Sequence, residues 1–201
     1  MFEDEDNLDP KESFERIRKM PIYVKAEEIS ELVHHLVQSI ENTDIKFSRR
    51  GEEALLNHSL SYLMENSLII PAKIAGAEGV DLYDIKMENA AIIRKAAREL
   101  ATDTYGIEMI GFKDTEYLDL LRTKVDEFRI LFAEWVQTFD PWDYIIDRWG
   151  LFNPPGVSYD DHAPDDDIPL DINDLPEEYF GQDNEEEDNK EDDRDTDNNQ
   201  P

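Results

Sequence analysis

The sequence predicts an all-α protein, an up-down four-helix bundle with a short fifth C-terminal helix and a disordered acidic tail. Three observations predict it. Apolar residues recur at alternating steps of four and three in four separate stretches, which places each row on one stripe of a helix. Four such stripes bury one another in a bundle. Gly, Asn and Pro cluster between the stretches, where helices end and turns begin. The charge is uneven: residues 154–201 hold nineteen Asp and Glu against Lys190 and Arg194, a net of −17, so 31 acids and 18 bases on the remaining residues leave −13 of the total −30. A segment so self-repelling, with few apolar groups to bury, does not offset its ordering entropy.

The elements follow in order. Residues 1–10 are acidic and expected to be flexible, residues 11–153 form the helical domain, and residues 154–201 form the tail. The first helix is predicted from near Lys11 to Asn42, its buried row being Ile22, Ala26, Ile29, Val33, Leu36 and Ile40. Pro21 removes a backbone donor there and either kinks this helix or divides it. The second helix spans about Glu52 to Ala77 on the row Leu56, Leu60, Leu63, Ser67, Ile70, Ile74 and Ala77, and ends near Gly76 and Gly79. Pro71 lies inside that row; it predicts a helix kink whose curvature suits the bundle, or a bend that opens a pocket. The third helix starts beside Asp81 and continues to about Thr104 on a looser row, Ile85, Asn89, Ile92, Ala96 and Leu100. Gly106 and Gly111 bracket a short apolar link, Ile107 to Ile110, placed to plug one end of the bundle. The fourth helix runs from about Asp114 to Phe139 on Leu121, Val125, Phe128, Phe132, Trp135 and Phe139. Asp140-Pro141 then reads as an N-cap with proline at the first helical position, starting a short helix that Gly150 stops. Asn153-Pro154-Pro155-Gly156 closes the domain.

Several chemistries lack their residues. With no cysteine, disulfides, thiolate zinc sites and thiol nucleophiles are excluded together. The acidic start, Met1-Phe2-Glu3-Asp4-Glu5-Asp6, does not resemble a signal peptide, and no run approaches the roughly 18 apolar residues of a membrane span. A soluble cytoplasmic protein with no membrane partner is expected. Bundle metal sites need two Glu-x-x-His pairs, and only Glu31-x-x-His34 has that spacing. The acidic run Asp160 to Asp167 lacks the turn glycine and terminal Glu of a calcium loop. No serine sits in a nucleophile elbow, and Gly76 and Gly79 follow a helix where a phosphate-binding turn follows a strand. No catalytic residue, cofactor or metal is therefore expected.

Three features point to partners. Arg94, Lys95 and Arg98 make the strongest local basic patch, with Arg49 and Arg50 as possible additions. The net charge of −30 opposes contact with nucleic acid, and pairing with Glu88, Glu99 or Asp103 explains the trio equally well. Phe132, Trp135, Phe139, Trp142, Tyr144, Trp149 and Phe152 crowd into one short stretch. They either pack a fifth helix over the bundle end, or expose Trp142, Tyr144, Trp149 and Phe152 as a subunit interface. In the tail, Ile168, Leu170, Ile172, Leu175, Tyr179 and Phe180 interleave with acids. That pattern suits a segment that orders on an unknown protein partner, masks the basic face of the third helix, or only solubilises.

Ile70-Pro71-Ala72-Lys73-Ile74-Ala75, followed by Glu78-Gly79, resembles the signature of bacterial four-helix-bundle proteins encoded in intervening sequences of large-subunit ribosomal RNA genes. That signature has the form Ile-Pro-x-Asn-Ile-Ala-Glu-Gly, so Lys73 replaces its Asn and Gly76-Ala77 precede its Glu-Gly. The small, apolar third helix, Ala90-Ala91-Ile92-Ile93 with Ala96-Ala97 and Leu100, is similar too, and the likeness covers about residues 22–137. The resemblance implies an up-down bundle forming ring-like homo-oligomers, often pentamers, with no established enzymatic activity. A related branch implies an accessory role in reverse-transcriptase complexes through a basic surface. The expectation is a non-enzymatic interaction or assembly protein that self-associates. The alternative is a nucleoprotein factor contacting RNA or DNA through Arg94, Lys95 and Arg98.

Overall fold

Pro21 divides the first predicted helix. In the computed structural model, which describes residues 10–113 and 115–162, α1 spans Pro10–Ile17 and α2 spans Pro21–Glu41. Pro21 sits at the start of α2, where its missing N–H costs nothing. Asn42 ends α2, its side-chain amide and its backbone N–H both donating to the Gln38 carbonyl, at 2.7 and 3.2 Å. The following loop is closed by Glu52, whose carboxylate accepts the N–H groups of Ser48 and Arg49 at 2.7 and 3.0 Å. These donors, Arg49's first, hold the Glu52 carboxyl below its usual range.

Helix α3 spans Glu52–Glu78 and continues unbroken through Pro71. Helix α4 spans Tyr83–Ile110 and α5 spans Thr115–Val136. Each of the four long helices packs on two neighbours: α3 on α2 and α4, and α5 on α2 and α4. That closed ring is the four-helix bundle. No strand occurs among the described residues, and no helix there is long and apolar enough to cross a membrane.

The predicted rows of α2 and α3 are buried at every position, and α5 buries its row except for the half-exposed Phe132. The row of α4 is different. Its core face carries Ala90, Ile93, Ala96, Ala97, Leu100, Thr104 and Ile107. Ala96 and Leu100 of the predicted row are buried, while Ile85, Asn89 and Ile92 are only half-buried and their places on the core face are taken by Ala90 and Ile93, one residue along. Alanine and isoleucine doublets at residues 90–93 make two frames equally apolar, and packing on α3 decides between them.

The link between Gly106 and Gly111 is helix. Ile107 extends the buried seam past Gly106, and the buried Thr104 hydroxyl before it donates to the Ala101 carbonyl at 2.7 Å while accepting from Arg122 at 3.2 Å. Burying Ile107 outweighs the roughly 1 kcal/mol that a helical glycine costs. Gly111, at φ 105°, supplies the left-handed turn that ends α4.

The sequence also predicts a fifth helix after Asp140, and this is corrected: the short helix of the five is α1, and residues 140–161 form turns. Asp140 does accept the Trp142 N–H at 2.9 Å, but no helix follows, because side-chain acceptors further on capture the backbone. The hydrogen-bonded chain extends to Asp161, beyond the predicted domain end at residue 153. Residues 163–201 lie outside the described residues, and the expectations for an acidic tail, its disorder, its partner and its masking role lie there with them.

A charge quartet ties α2 to α5. Lys25 reaches Glu28 at 2.7 Å and Glu127 at 2.9 Å, while Lys124 reaches the same carboxylates at 3.3 and 3.5 Å. Lys25, bonded first to Glu28, is held charged well above its ordinary range. Its hydrogen bonds in turn depress both carboxyls. A carboxyl depressed in the fold contributes stability above its ordinary pKa and loses that contribution as pH falls through the folded value. Thermal melts from about pH 5 to pH 3 are expected to fall more steeply for the native protein than for a Glu28→Gln, Glu127→Gln variant. Equal slopes would remove the quartet from the acid response.

Candidate interaction surface

Residues 140–161 fold around one carboxylate. Asp147 begins a turn closed by the Gly150 N–H on the Asp147 carbonyl at 2.9 Å. Asp at the first position and Gly at the fourth is a common type I pattern. The Asp147 carboxylate accepts the N–H groups of Trp149, Leu151 and Phe152 at 2.8, 2.8 and 3.0 Å. These donors, Trp149's first, hold its carboxyl below the usual range. Asn153 clamps the same residue from behind, accepting the Asp147 N–H at 2.7 Å and donating to its carbonyl at 2.9 Å. Gly150 has φ 72°, a left-handed conformation that favours glycine, and an added Cβ would also sit tight against Tyr159 Cβ at 3.3 Å.

Two further contacts fasten the segment at its ends. At the start of α4, the Tyr83 N–H donates to the Asp143 carbonyl at 2.7 Å and the Asp84 carboxylate accepts the Ile145 N–H at 3.0 Å. Arg148 donates to the carbonyls of Tyr159 and Asp161 at 3.0 and 2.7 Å. Phe139 anchors the near end by burying its ring against Trp135 at 4.7 Å, edge to face.

The result is an ordered backbone with its largest side chains turned outward. Trp149 is 91% exposed and Trp142 86%, with Leu151 at 76% and Ile145 at 62%. Of the predicted interface residues, Trp142 and Trp149 face solvent, while Tyr144 and Phe152 are half-buried. The packing reading of Trp142 and Trp149 is therefore corrected: with no fifth helix, nothing brings these rings onto the bundle. Ile145, Leu151 and the exposed Tyr159 join the display and were not singled out from the sequence. The Asp-x-x-Gly turn signal at 147–150 was their available clue.

The basic trio divides. Lys95 pairs with Glu99 at 2.7 Å. Arg94 and Arg98 instead line a groove between α4 and α5 with Arg129. Among the described residues no three His, Asp or Glu side chains gather to hold a metal ion. His34 and His35 are exposed on α2, and His34 contacts Gln38 at 2.9 Å. Burial pushes the Asp103 carboxyl up, Glu99 adding repulsion and His58 opposing it. Comparison with protein-family models, curated proteins and solved structures finds no match to this chain.

Proposed function

We propose that this protein is a non-enzymatic assembly module whose copies associate through the 140–161 segment. One observation carries the reading: two tryptophans more than four-fifths exposed on a backbone pinned by at least three hydrogen bonds to one carboxylate. Large apolar side chains held rigidly in water are costly in a monomer and well suited to an interface. Trp anchors dominate such interfaces, and a pre-ordered backbone lowers the entropy lost on docking. The family resemblance supports self-association in a ring, and a cytoplasmic setting fits a chain without cysteine.

Light scattering of the full chain is expected to give a mass that is a multiple of 23.5 kDa. Replacing Trp149 and Trp142 with alanine is expected to shift it toward the protomer, with helical circular dichroism unchanged. At about 2 kcal/mol per anchor, each substitution weakens association roughly thirtyfold. A native protein of protomer mass over the whole concentration range defeats the assembly reading.

A further inference from the structure

The α4–α5 groove is a second surface, independent of the exposed tryptophans. It has a volume of about 440 Å³, and its apolar floor includes Ala97, Phe132 and Val136. Alanine on α4 facing ring and branched side chains on α5 leaves the two helices unfilled along this seam. The groove is large enough to seat several apolar side chains of a helix.

Its charge is the unusual part. The chain has 50 Asp and Glu against 20 Lys and Arg, yet no carboxylate lines this groove while three arginines do. The guanidinium groups of Arg94 and Arg98 make no ion pair or hydrogen bond among the described residues, the one bond at Arg98 outside the helix ladder being from the Thr102 hydroxyl to its backbone carbonyl. Arg129 has only Asp126 at 3.7 Å, with both side chains at least three-quarters exposed, a pair worth little. Guanidinium groups left unpaired beside an apolar floor, in a protein rich in carboxylates, complement a ligand that is anionic and apolar at once.

We propose that this groove docks an acidic amphipathic helix of a partner protein. Apolar side chains at helical spacing enter between α4 and α5, and flanking carboxylates pair with Arg94, Arg98 and Arg129. A nucleic acid satisfies the arginines but leaves the apolar floor in contact with a hydrated backbone, and the net charge of −30 repels so long a polyanion. A short helix is affected far less, because its charges act within a Debye length of the rim.

The test uses the full chain and a fluorescein-labelled synthetic peptide of about 18 residues, with Leu and Phe at one helical face and Glu elsewhere, at about 0.15 M salt. Fluorescence anisotropy is expected to show saturable binding that a scrambled peptide of the same composition does not reproduce. Arg94→Glu with Arg98→Glu is expected to weaken binding at least tenfold. Ala133→Trp, at an exposed position on the rim, fills the groove while keeping its arginines, and is expected to do the same. Both variants are expected to keep native helicity and native solution mass, which separates this outcome from failure of the assembly reading. Absent binding, equal binding of the scrambled peptide, or undiminished binding by both variants overturns the proposal. So does a labelled polyuridylate oligomer that binds more tightly with the same arginine dependence.

Discussion

Truncating Ile93 to alanine is expected to cost about 3 kcal/mol of stability, and truncating Ile92 less than half as much. The two residues are adjacent and chemically identical, so the difference isolates the register of α4. Ile93 is 0% exposed and lies on the seam with Ala90, Ala96, Ala97, Leu100, Thr104 and Ile107. Removing three of its carbons leaves a cavity between tightly packed helices, and the surroundings collapse only in part. Ile92 is half-buried at the edge of the same helix, so its truncation sheds less apolar contact and opens a site that water reaches. Guanidinium denaturation of both variants, read as midpoints at constant slope, checks this. A larger loss at Ile92 than at Ile93 would place α4 in the other frame, with Ile85, Asn89 and Ile92 inward.

That register marks where the sequence stopped specifying the fold unaided. Rows on α2, α3 and α5 carry large apolar residues at most steps, Ala26, Ser67 and Ala77 being the exceptions, and each long row keeps a single stripe over five or six steps. Residues 90–93 and 96–97 of α4 are doublets of Ala and Ile, and a doublet does not distinguish adjacent frames. The hidden polar member Thr104 adds to the ambiguity, because its hydroxyl is buried only by bonding to Ala101 and Arg122. Gly106 illustrates a propensity overridden by tertiary burial. The segment after Asp140 illustrates the opposite case, a good helix start that goes unused. Asp140-Pro141 is a sound local signal, but Asp147 offers the backbone at least three acceptor contacts outside any helix, and Asp84 and Asn153 reinforce them. Sequence periodicity reports helices; it carries little information on a segment whose order comes from side-chain to backbone bonds of Asp147 and Asn153 within it and of Asp84 on α4. For the same reason the candidate site was half legible. Trp142 and Trp149 were visible as large aromatic residues, whereas their presentation depended on Asp147, and the splitting of Arg94 and Arg98 from Lys95 depended on the α4–α5 packing.

Replacing Trp135 with alanine is expected to cost about 4 kcal/mol and to disturb self-association as well, because this side chain joins the bundle to the exposed segment. Trp135 is buried on α5, its ring meeting Phe139 edge to face at 4.7 Å and Phe132 at 6.1 Å. Its indole N–H donates at 2.7 Å to Glu78, the last residue of α3. That bond across the bundle end gives Glu78 a structural role. Phe139 in turn lies beneath Lys86 of α4, whose ammonium is 5.8 Å from the ring centre. One side chain thus links the ends of α3 and α5 and fixes the residue from which the 140–161 segment departs. Trp135→Phe separates the contributions: it keeps a ring against Phe139 and removes the N–H, and is expected to cost about 1.5 kcal/mol, the value of a hydrogen bond to a charged acceptor. If packing dominates, the alanine variant unfolds at much lower denaturant than the phenylalanine one, and its residual folded fraction has lost hydrogen-exchange protection at Trp149, Leu151 and Phe152. Equal midpoints for the two variants would instead make the Glu78 bond the whole of the contribution. Unchanged protection at those three amides would show that the Asp147 turn stands without its anchor at Phe139.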